Sequence, residues 1–117
     1  MVLAAYQDQC CVSGNPLTEL LVASHILPWA THPEHRVNPR NGLCLSRLHD
    51  AAFDRGLVTF DEDYRLVVSK RIRSHFTNEA VRDNFARYEG RPLRFPEKFY
   101  PDRLFLSGHR ELIFREV

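Results

Sequence analysis

The chain has 117 residues, the size of one domain, and its 44% hydrophobic and 26% charged residues are ordinary for a folded globular protein. This composition argues against a disordered chain, and no apolar run approaches the roughly 20 residues that cross a bilayer. The first nine residues lack the basic flank and the long apolar stretch of a signal peptide. We therefore expect residues 1–117 to form a single cytoplasmic domain with no membrane partner.

The net charge of +1 says little about partners, but the charges are unevenly distributed. Residues 1–34 contain three acidic residues and no Lys or Arg, so all sixteen basic residues follow them. Fourteen of the sixteen are Arg, whose guanidinium can bind a phosphate through two parallel hydrogen bonds. This bias suits a nucleic-acid surface, and an Arg-rich genome explains it equally well.

The three cysteines are an odd number, and two of them are adjacent. Cys10 and Cys11 are neighbours in the sequence, and Cys44 stands far from both. This pattern does not match the disulfide framework of a small secreted protein. We expect all three to be reduced thiols.

Apolar runs and chain-breaking residues predict the elements of the N-terminal half. Residues 2–9 are predicted to form a short helix, because their apolar side chains share one side. The apolar run 20–23 predicts a buried strand that ends at His25. A Pro-containing loop over 28–38 separates it from a second strand at 43–45, and we expect the two strands to pair antiparallel.

A helix is predicted over 47–55, directly after the second strand. Ser46 is suited to cap its N-terminus, because a Ser hydroxyl can accept a hydrogen bond from a free amide of the first turn. Gly56 is suited to end it.

The remaining elements are a hairpin and two helices. Residues 57–69 predict a β-hairpin around an acidic turn. One helix is expected at 78–88 behind a Thr77 cap, and another at 102–114. The order of helix, strand pair, helix, hairpin and two helices predicts an α+β fold, with 57–117 flanking the earlier elements.

Four polar residues stand at the ends and starts of the predicted central elements. His25 ends the first strand, Asn41 precedes the second, and His49 and Asp50 lie on the first turn of the helix. A hairpin followed by a helix can bring a histidine at a strand end and a ligand at a helix start into one cleft. One base and one divalent metal suffice to hydrolyse a phosphodiester.

These residues lie in three dense local motifs: Ala-Ser-His-Ile-Leu-Pro-Trp at 23–29, Asn-Pro-Arg-Asn-Gly-Leu at 38–43 and Phe-Asp-Arg-Gly-Leu at 53–57. In this order they resemble the HNH endonuclease family, most closely its restriction-type branch. The resemblance is clear over about residues 2–60 and weaker beyond. It implies a ββα-metal fold whose hairpin and helix occupy about residues 18–56.

The resemblance implies a role for each of these residues. His25 would be the general base that activates water, and Asn41 would brace the loop and the base. The helix would supply the metal ligand: His49 matches the motif by residue type, whereas several relatives place the ligand one position later, at Asp50. Ser24 precedes the base where many relatives have an acidic or His ligand. The ion would then have fewer protein ligands, and water or DNA phosphate would complete its shell.

The expected faces of the helix favour His49 over Asp50. Adjacent residues on a helix point about 100° apart, so only one of the two can face the cleft squarely. Leu48, Ala52 and Phe53 are expected to mark the buried side, with His49 beside them near the hairpin. Asp50 shares its face with Asp54, four residues later, which is expected to be more solvated and to assist the metal.

The expected cofactor is a divalent ion, Mg²⁺ or a similar hard cation. A structural zinc, which many HNH proteins hold with two Cys pairs, is not expected, because the apolar Leu45 and Leu48 stand where the second pair would fall. The four residues that remain for such a site are irregularly spaced: Cys10, Cys11, Cys44 and His49.

The predicted function is metal-dependent cleavage of DNA, with Arg residues around the core contacting phosphates. An upstream specificity domain, which family members often carry, would be an additional partner. A non-catalytic nucleic-acid-binding module that retains the fold is the first alternative, and a zinc-stabilised interaction domain is the second. The Arg residues expected to contact DNA are Arg36, Arg40, Arg47 and Arg55.

Overall fold

A computed structural model of the chain describes residues 2–28, 32–35 and 37–115. It is an α+β structure, as predicted, with two small antiparallel sheets and helices around them. No helix in the described part of the chain is both long and apolar enough to cross a membrane. The elements in chain order are α1 Val2–Ala5, β1 Leu21–His25, β2 Gly42–Ser46, α2 Arg47–Asp54, β3 Val58–Phe60, β4 Leu66–Val68, α3 Lys70–Arg73, α4 Glu79–Asn84 and α5 Arg103–Leu112.

The first sheet is the predicted pair of β1 and β2. Leu21 pairs with Ser46 at one end, and His25 pairs with Gly42 at the other. Every residue of β2 is buried, because its five small or apolar residues lie between other elements. Gly42 fits this crowding, since a Cβ added there would lie 2.8 Å from the side chain of Val2. His25 therefore ends a strand whose partner is held inside the molecule.

Helix α2 follows β2 without a loop, and both of its predicted end signals are present. The Ser46 hydroxyl accepts a hydrogen bond from the His49 amide at 3.3 Å, which is an N-cap. Gly56 has φ +74, a conformation that favours glycine. A Cβ at Gly56 would lie 2.1 Å from the carbonyl oxygen of Ile113, so glycine also permits the close approach of the segment after α5.

The second sheet is the predicted hairpin, in which Val58 pairs with Val68 and Phe60 with Leu66. Strand β3 is buried throughout. Its core contacts extend to α5, where the Arg110 guanidinium donates a hydrogen bond to the Phe60 carbonyl at 2.7 Å. This packing brings α5 against both the second hairpin and α2.

Three predicted helices have different boundaries in the structure. The first ends at Ala5, because Gln7 and Asp8 have φ of 54 and 52, which a right-handed helix cannot contain. The predicted helix at 78–88 is capped by Asn78 and breaks at the buried Phe85, after which a short 3₁₀ turn continues to Tyr88. Helix α5 is shorter than the predicted 102–114, and α3 was not predicted.

The three cysteines are free and fully buried. The Cys11 amide donates to the Cys44 carbonyl at 2.8 Å, which links the N-terminal segment to β2. Burial raises the pKa of the Cys44 thiol to about 12, and the neighbouring Cys10 and Asp8 add to this shift. The environment of Cys44 therefore favours its protonated form.

Candidate active site

A cleft of about 430 Å³ opens beside the end of β1. His25 lines it from the strand, Asp50 and Asp54 line it from α2, and His109 contributes from α5. The side chain of His25 is partly buried. The fold thus brings two imidazoles and two carboxylates to one opening in the surface.

The two carboxylates face the cleft together because Asp50 and Asp54 are four residues apart on α2, a spacing that puts side chains on one face. Partial burial raises the pKa of Asp54 to about 6, and the nearby charge of Asp50 adds to the shift. Among the described residues, no Lys or Arg forms an ion pair with either carboxylate. The cleft therefore carries negative charge that no Lys or Arg of the described residues neutralises through an ion pair.

Burial lowers the pKa of His25 below its ordinary value, and the charge of Asp50 opposes this shift only in part. A lowered pKa keeps the imidazole neutral near pH 7, so one of its nitrogens is available to accept a proton. The arrangement can therefore supply a base beside two oxygen ligands.

Asn41 is fully buried and holds the chain that follows His25. Its side-chain oxygen accepts from the Leu27 amide at 2.9 Å, and its Nδ2 donates to the Leu27 carbonyl at 3.1 Å. The same Nδ2 donates to the His35 carbonyl at 3.4 Å, and the Ile26 amide donates to the Asn41 backbone carbonyl at 3.0 Å. These hydrogen bonds fix the loop after His25, the segment that the family resemblance expects Asn41 to brace.

His49 lies outside the cleft, in the core between α2 and α4, contrary to its predicted place beside the hairpin as the metal ligand. Its Nε2 donates to the Asn84 carbonyl at 2.7 Å, and its Nδ1 lies 2.9 Å from the Ser46 hydroxyl. The rings of Phe85 and Tyr88 meet the imidazole edge-on. Because both ring nitrogens have partners, the structure does not present His49 to a metal in the cleft.

The predicted buried side of α2 is confirmed at Ala52 and Phe53 and is wrong at Leu48. Leu48 has 48% of its surface exposed, whereas His49 has 3%. The buried residues are His49, Ala52 and Phe53, which form one stripe at spacings of three and four. With His49 in this stripe, Asp50 rather than His49 lines the cleft.

His109 is a site residue that the sequence analysis missed. Its Nε2 donates to the Phe53 carbonyl at 2.9 Å, and its Nδ1 accepts from the Thr59 hydroxyl at 2.7 Å. The ring stacks on Phe53 with centroids 3.7 Å apart. Burial lowers its pKa to about 4, so it is neutral. The one available signal was its position on the buried stripe of α5 with Phe105 and Leu106.

Comparison with known families agrees with this geometry. Residues 10–61 match the model of the family HNH_2, described as HNH endonuclease. The matched segment, which is less than half of the chain, is similar to HNH endonucleases, and we call it the HNH segment. No curated protein matches the chain significantly. The HNH segment contains β1, β2, α2 and β3, and hence His25, Asp50 and Asp54. The match suggests a nuclease or DNA-binding function, and HNH nucleases generally use a divalent metal.

Three of the four arginines predicted to contact DNA lie in the described part of the chain, and none of these three lines the cleft of the HNH segment. Arg40, Arg47 and Arg55 are exposed, and each lies outside the cleft beside His25. Arg47 and Arg55 stand on other sides of α2, and Arg40 donates to the Tyr100 carbonyl at 3.3 Å. Arg36 lies outside the described residues.

The donors in the cleft suit a hard cation that keeps part of its water shell. Within the described chain, no group of three or more His, Cys, Asp or Glu residues is placed to hold a metal by itself. Mg²⁺ is commonly bound through one or two carboxylates, with water and substrate phosphate completing its shell. Asp50 and Asp54 match that pattern. The buried Ser24 hydroxyl has no hydrogen-bond partner among the described residues, and Ser24 lines the same cleft.

Proposed function

We propose that the chain is a metal-dependent endonuclease that hydrolyses phosphodiester bonds of DNA in the cleft between β1 and α2. The observation that carries this proposal is the convergence of His25, Asp50 and Asp54 on one cleft within a segment of HNH type. A neutral imidazole and two unpaired carboxylates are the groups that metal-assisted phosphodiester hydrolysis needs.

His25 acts as the general base in this proposal. Burial keeps its pKa below the ordinary value, so the imidazole is neutral at pH 7 and can take a proton from an attacking water. The charge of Asp50 faces the same cleft and stabilises the imidazolium that forms when the proton arrives. His25 is thus neutral before it takes up the proton, and the negative charge of Asp50 balances the positive charge of the imidazolium afterwards.

Asp50 and Asp54 hold the divalent ion, for which Mg²⁺ is our proposal. When bound, the ion supplies positive charge to the phosphate and to the leaving oxygen. Asp50 is the principal ligand, because its charge acts on both His25 and Asp54. This assigns to Asp50 the role that the sequence analysis favoured for His49.

Two buried residues hold the reacting groups in place. Asn41 fixes the chain at Leu27, two residues beyond the base. His109 fixes the last turn of α2 through the Phe53 carbonyl, next to Asp54. Neither touches the centre of the cleft with a charged group, so we assign both to positioning.

One observation favours a second candidate, a DNA-binding module that has kept the fold and lost catalysis. Ser24 offers a buried hydroxyl where many relatives have a metal ligand, which leaves the ion fewer protein donors. DNA binding without cleavage would be the result expected of such a module.

A cleavage assay with purified protein and supercoiled plasmid separates the two candidates. We expect Mg²⁺-dependent nicking that EDTA abolishes, and we expect His25→Ala to lower the rate by about 10²–10⁴-fold, the usual contribution of a general base. Circular dichroism of the variant confirms the fold. DNA binding in EDTA serves as the control, because it is expected to survive the His25→Ala change. Binding without any cleavage in Mg²⁺ or Mn²⁺ would support the DNA-binding module instead.

A further inference from the structure

Two exposed aromatic rings form a stack on the surface, outside the HNH segment. Phe95 and Tyr100 have ring centroids 5.1 Å apart at an interplanar angle of 17°, and 40% and 45% of their surfaces are exposed. Exposed aromatic residues in a stacked pair are unusual on a surface that has no partner, because each leaves apolar area in water. We call Phe95 and Tyr100 the aromatic platform.

The aromatic platform is supported from below by a buried ring. Tyr64 meets Phe95 edge-on with centroids 5.4 Å apart, and its hydroxyl donates to the Pro101 carbonyl at 2.9 Å. The Leu93 amide donates to the Tyr64 carbonyl at 2.9 Å, which ties the start of this segment to the second hairpin. The platform is therefore fixed in place before any ligand arrives.

Basic side chains border the aromatic platform. The Arg40 guanidinium donates to the Tyr100 carbonyl, and the Arg103 guanidinium lies over the Tyr64 ring at 5.2 Å. Lys98 is exposed in the same segment, with its Nζ over the Phe99 ring at 5.4 Å. The two acids between Phe95 and Arg103 are the exposed Glu97 and the helix cap Asp102, whose carboxylate accepts from the Leu104 amide. Two arginines beside an apolar ring stack suit a ligand that combines flat rings with phosphates.

The aromatic platform is joined to the cleft by the turn before β2. Pro39 in this turn lines a depression of about 180 Å³ together with His25. The next residue, Arg40, contacts Tyr100 through its side chain and accepts from the Asp102 amide at 3.0 Å through its carbonyl. A strand bound near His25 can continue across this turn to the platform.

We propose that the aromatic platform stacks unpaired DNA bases, so that the preferred ligand is DNA with a single-stranded segment beside the cleft. Every base has a flat face that stacks on an aromatic ring, and the flanking cations contact the backbone phosphates. A duplex offers its phosphates but keeps its base faces inside, so it cannot use the rings. The position of the single-stranded segment relative to cleavage rests on the proposed nuclease function, whereas the stacking itself does not.

Fluorescence anisotropy with labelled oligonucleotides in EDTA tests the proposal without cleavage. Phe95→Leu and Tyr100→Leu keep apolar volume and remove the aromatic face. We expect each to weaken single-stranded binding by at least about five-fold, the lower end for loss of one stacked base, and to leave duplex binding within about two-fold. Tyr100→Phe should bind like the parent. Leu104→Ala is the matched control, because Leu104 is 78% exposed on the adjacent helix and belongs to no ring stack.

Unchanged single-stranded binding in both Leu variants would overturn the proposal, and so would an equal loss for single strand and duplex. Circular dichroism and thermal unfolding check that each variant is folded, and a parent-like Tyr100→Phe keeps the comparison valid if one Leu variant unfolds. Plasmid nicking by the same proteins separates the two claims. If the Leu variants lose single-stranded binding but the parent does not nick plasmid, only the nuclease function is contradicted. If the parent nicks plasmid and the Leu variants keep single-stranded binding, only the aromatic platform is contradicted.

Discussion

Replacing His49 by alanine is expected to reduce the stability of the fold. The ring fills buried space against Phe85 and Tyr88, and its nitrogens partner the Ser46 hydroxyl and the Asn84 carbonyl. His49→Ala removes that ring and leaves the Ser46 hydroxyl and the Asn84 carbonyl without this hydrogen-bond partner. Because these contacts join α2 to the segment around α4, their loss weakens the docking of the two.

The expected loss follows from two contributions. Removing a buried ring of this kind costs about 3–5 kcal/mol in proteins, and an unpaired buried polar group costs about 1–3 kcal/mol. Asn84 is only partly buried, so in the variant its carbonyl can form a hydrogen bond with water. The cost of the lost ring and the cost of the unpaired polar group therefore do not add in full. We expect a loss of about 3–5 kcal/mol in the free energy of unfolding, which is a large share of the roughly 5–15 kcal/mol of a typical domain.

Equilibrium urea denaturation of the metal-free protein measures this loss. The matched control is Leu48→Ala, one residue earlier on α2, where 48% exposure predicts a loss of about 1 kcal/mol or less. A parent-like free energy of unfolding for His49→Ala would refute the core assignment. A larger loss for Leu48→Ala than for His49→Ala would refute the burial of His49 in place of Leu48.

Three further changes have defined outcomes. Asn41→Ala should lower the free energy of unfolding by about 2–4 kcal/mol in urea denaturation, because it leaves the Leu27 amide and carbonyl unpaired; a loss below 1 kcal/mol would contradict the brace. The lowered pKa of His109 means that its contribution to stability is complete above about pH 6.5 and is lost as pH falls toward 4. Thermal unfolding of the parent should show that decline more strongly than His109→Gln, and identical pH profiles would count against it. The raised pKa of Asp54, about 6, should make Mn²⁺ binding weaken below pH 6 as the carboxylate takes up a proton. Calorimetric titration should show a smaller pH dependence in Asp54→Asn, and an equal dependence would exclude Asp54 as a ligand.

Local signals predicted the first sheet and α2 closely. The apolar runs, the Ser46 cap and the glycine at 56 each act on residues only a few positions away. Their effects can therefore be predicted from a short stretch of sequence. The brace at Asn41 was also predictable, because the resemblance to the HNH family carried its role. These features depend on neighbours along the chain rather than on distant contacts.

The burial of His49 in place of Leu48 could not be predicted in the same way. Hydrophobicity alone puts Leu48 inside and His49 at the margin. In the structure the buried His49 has a distant partner: the backbone carbonyl of Asn84, 35 residues later, accepts a hydrogen bond from its Nε2. His109 depends on Phe53 and Thr59, which are 56 and 50 residues away. Hydrophobic periodicity does not reveal partners that are so far apart in the sequence. The sequence therefore places His49 wrongly and predicts no partner for His109.

The exposure of the aromatic platform was equally hidden. Phe95 and Tyr100 lie between the helices predicted at 78–88 and 102–114, where no element is predicted and the sequence contains no signal for exposed rings. The segment instead follows the second hairpin over the surface, with Tyr64 filling the space beneath it. Which ring is buried depends on this tertiary arrangement.

The dependence of plasmid nicking on Mg²⁺ concentration, compared between the parent and Asp50→Asn, tests the assignment of the metal ligand most directly. Loss of an outer-shell partner typically lowers metal affinity about 10–100-fold. We predict that Asp50→Asn raises the half-saturating Mg²⁺ concentration by about 100-fold or more, while its unfolding in urea stays like that of the parent. A parent-like Mg²⁺ dependence in Asp50→Asn would contradict the assignment of the cleft carboxylates to the metal.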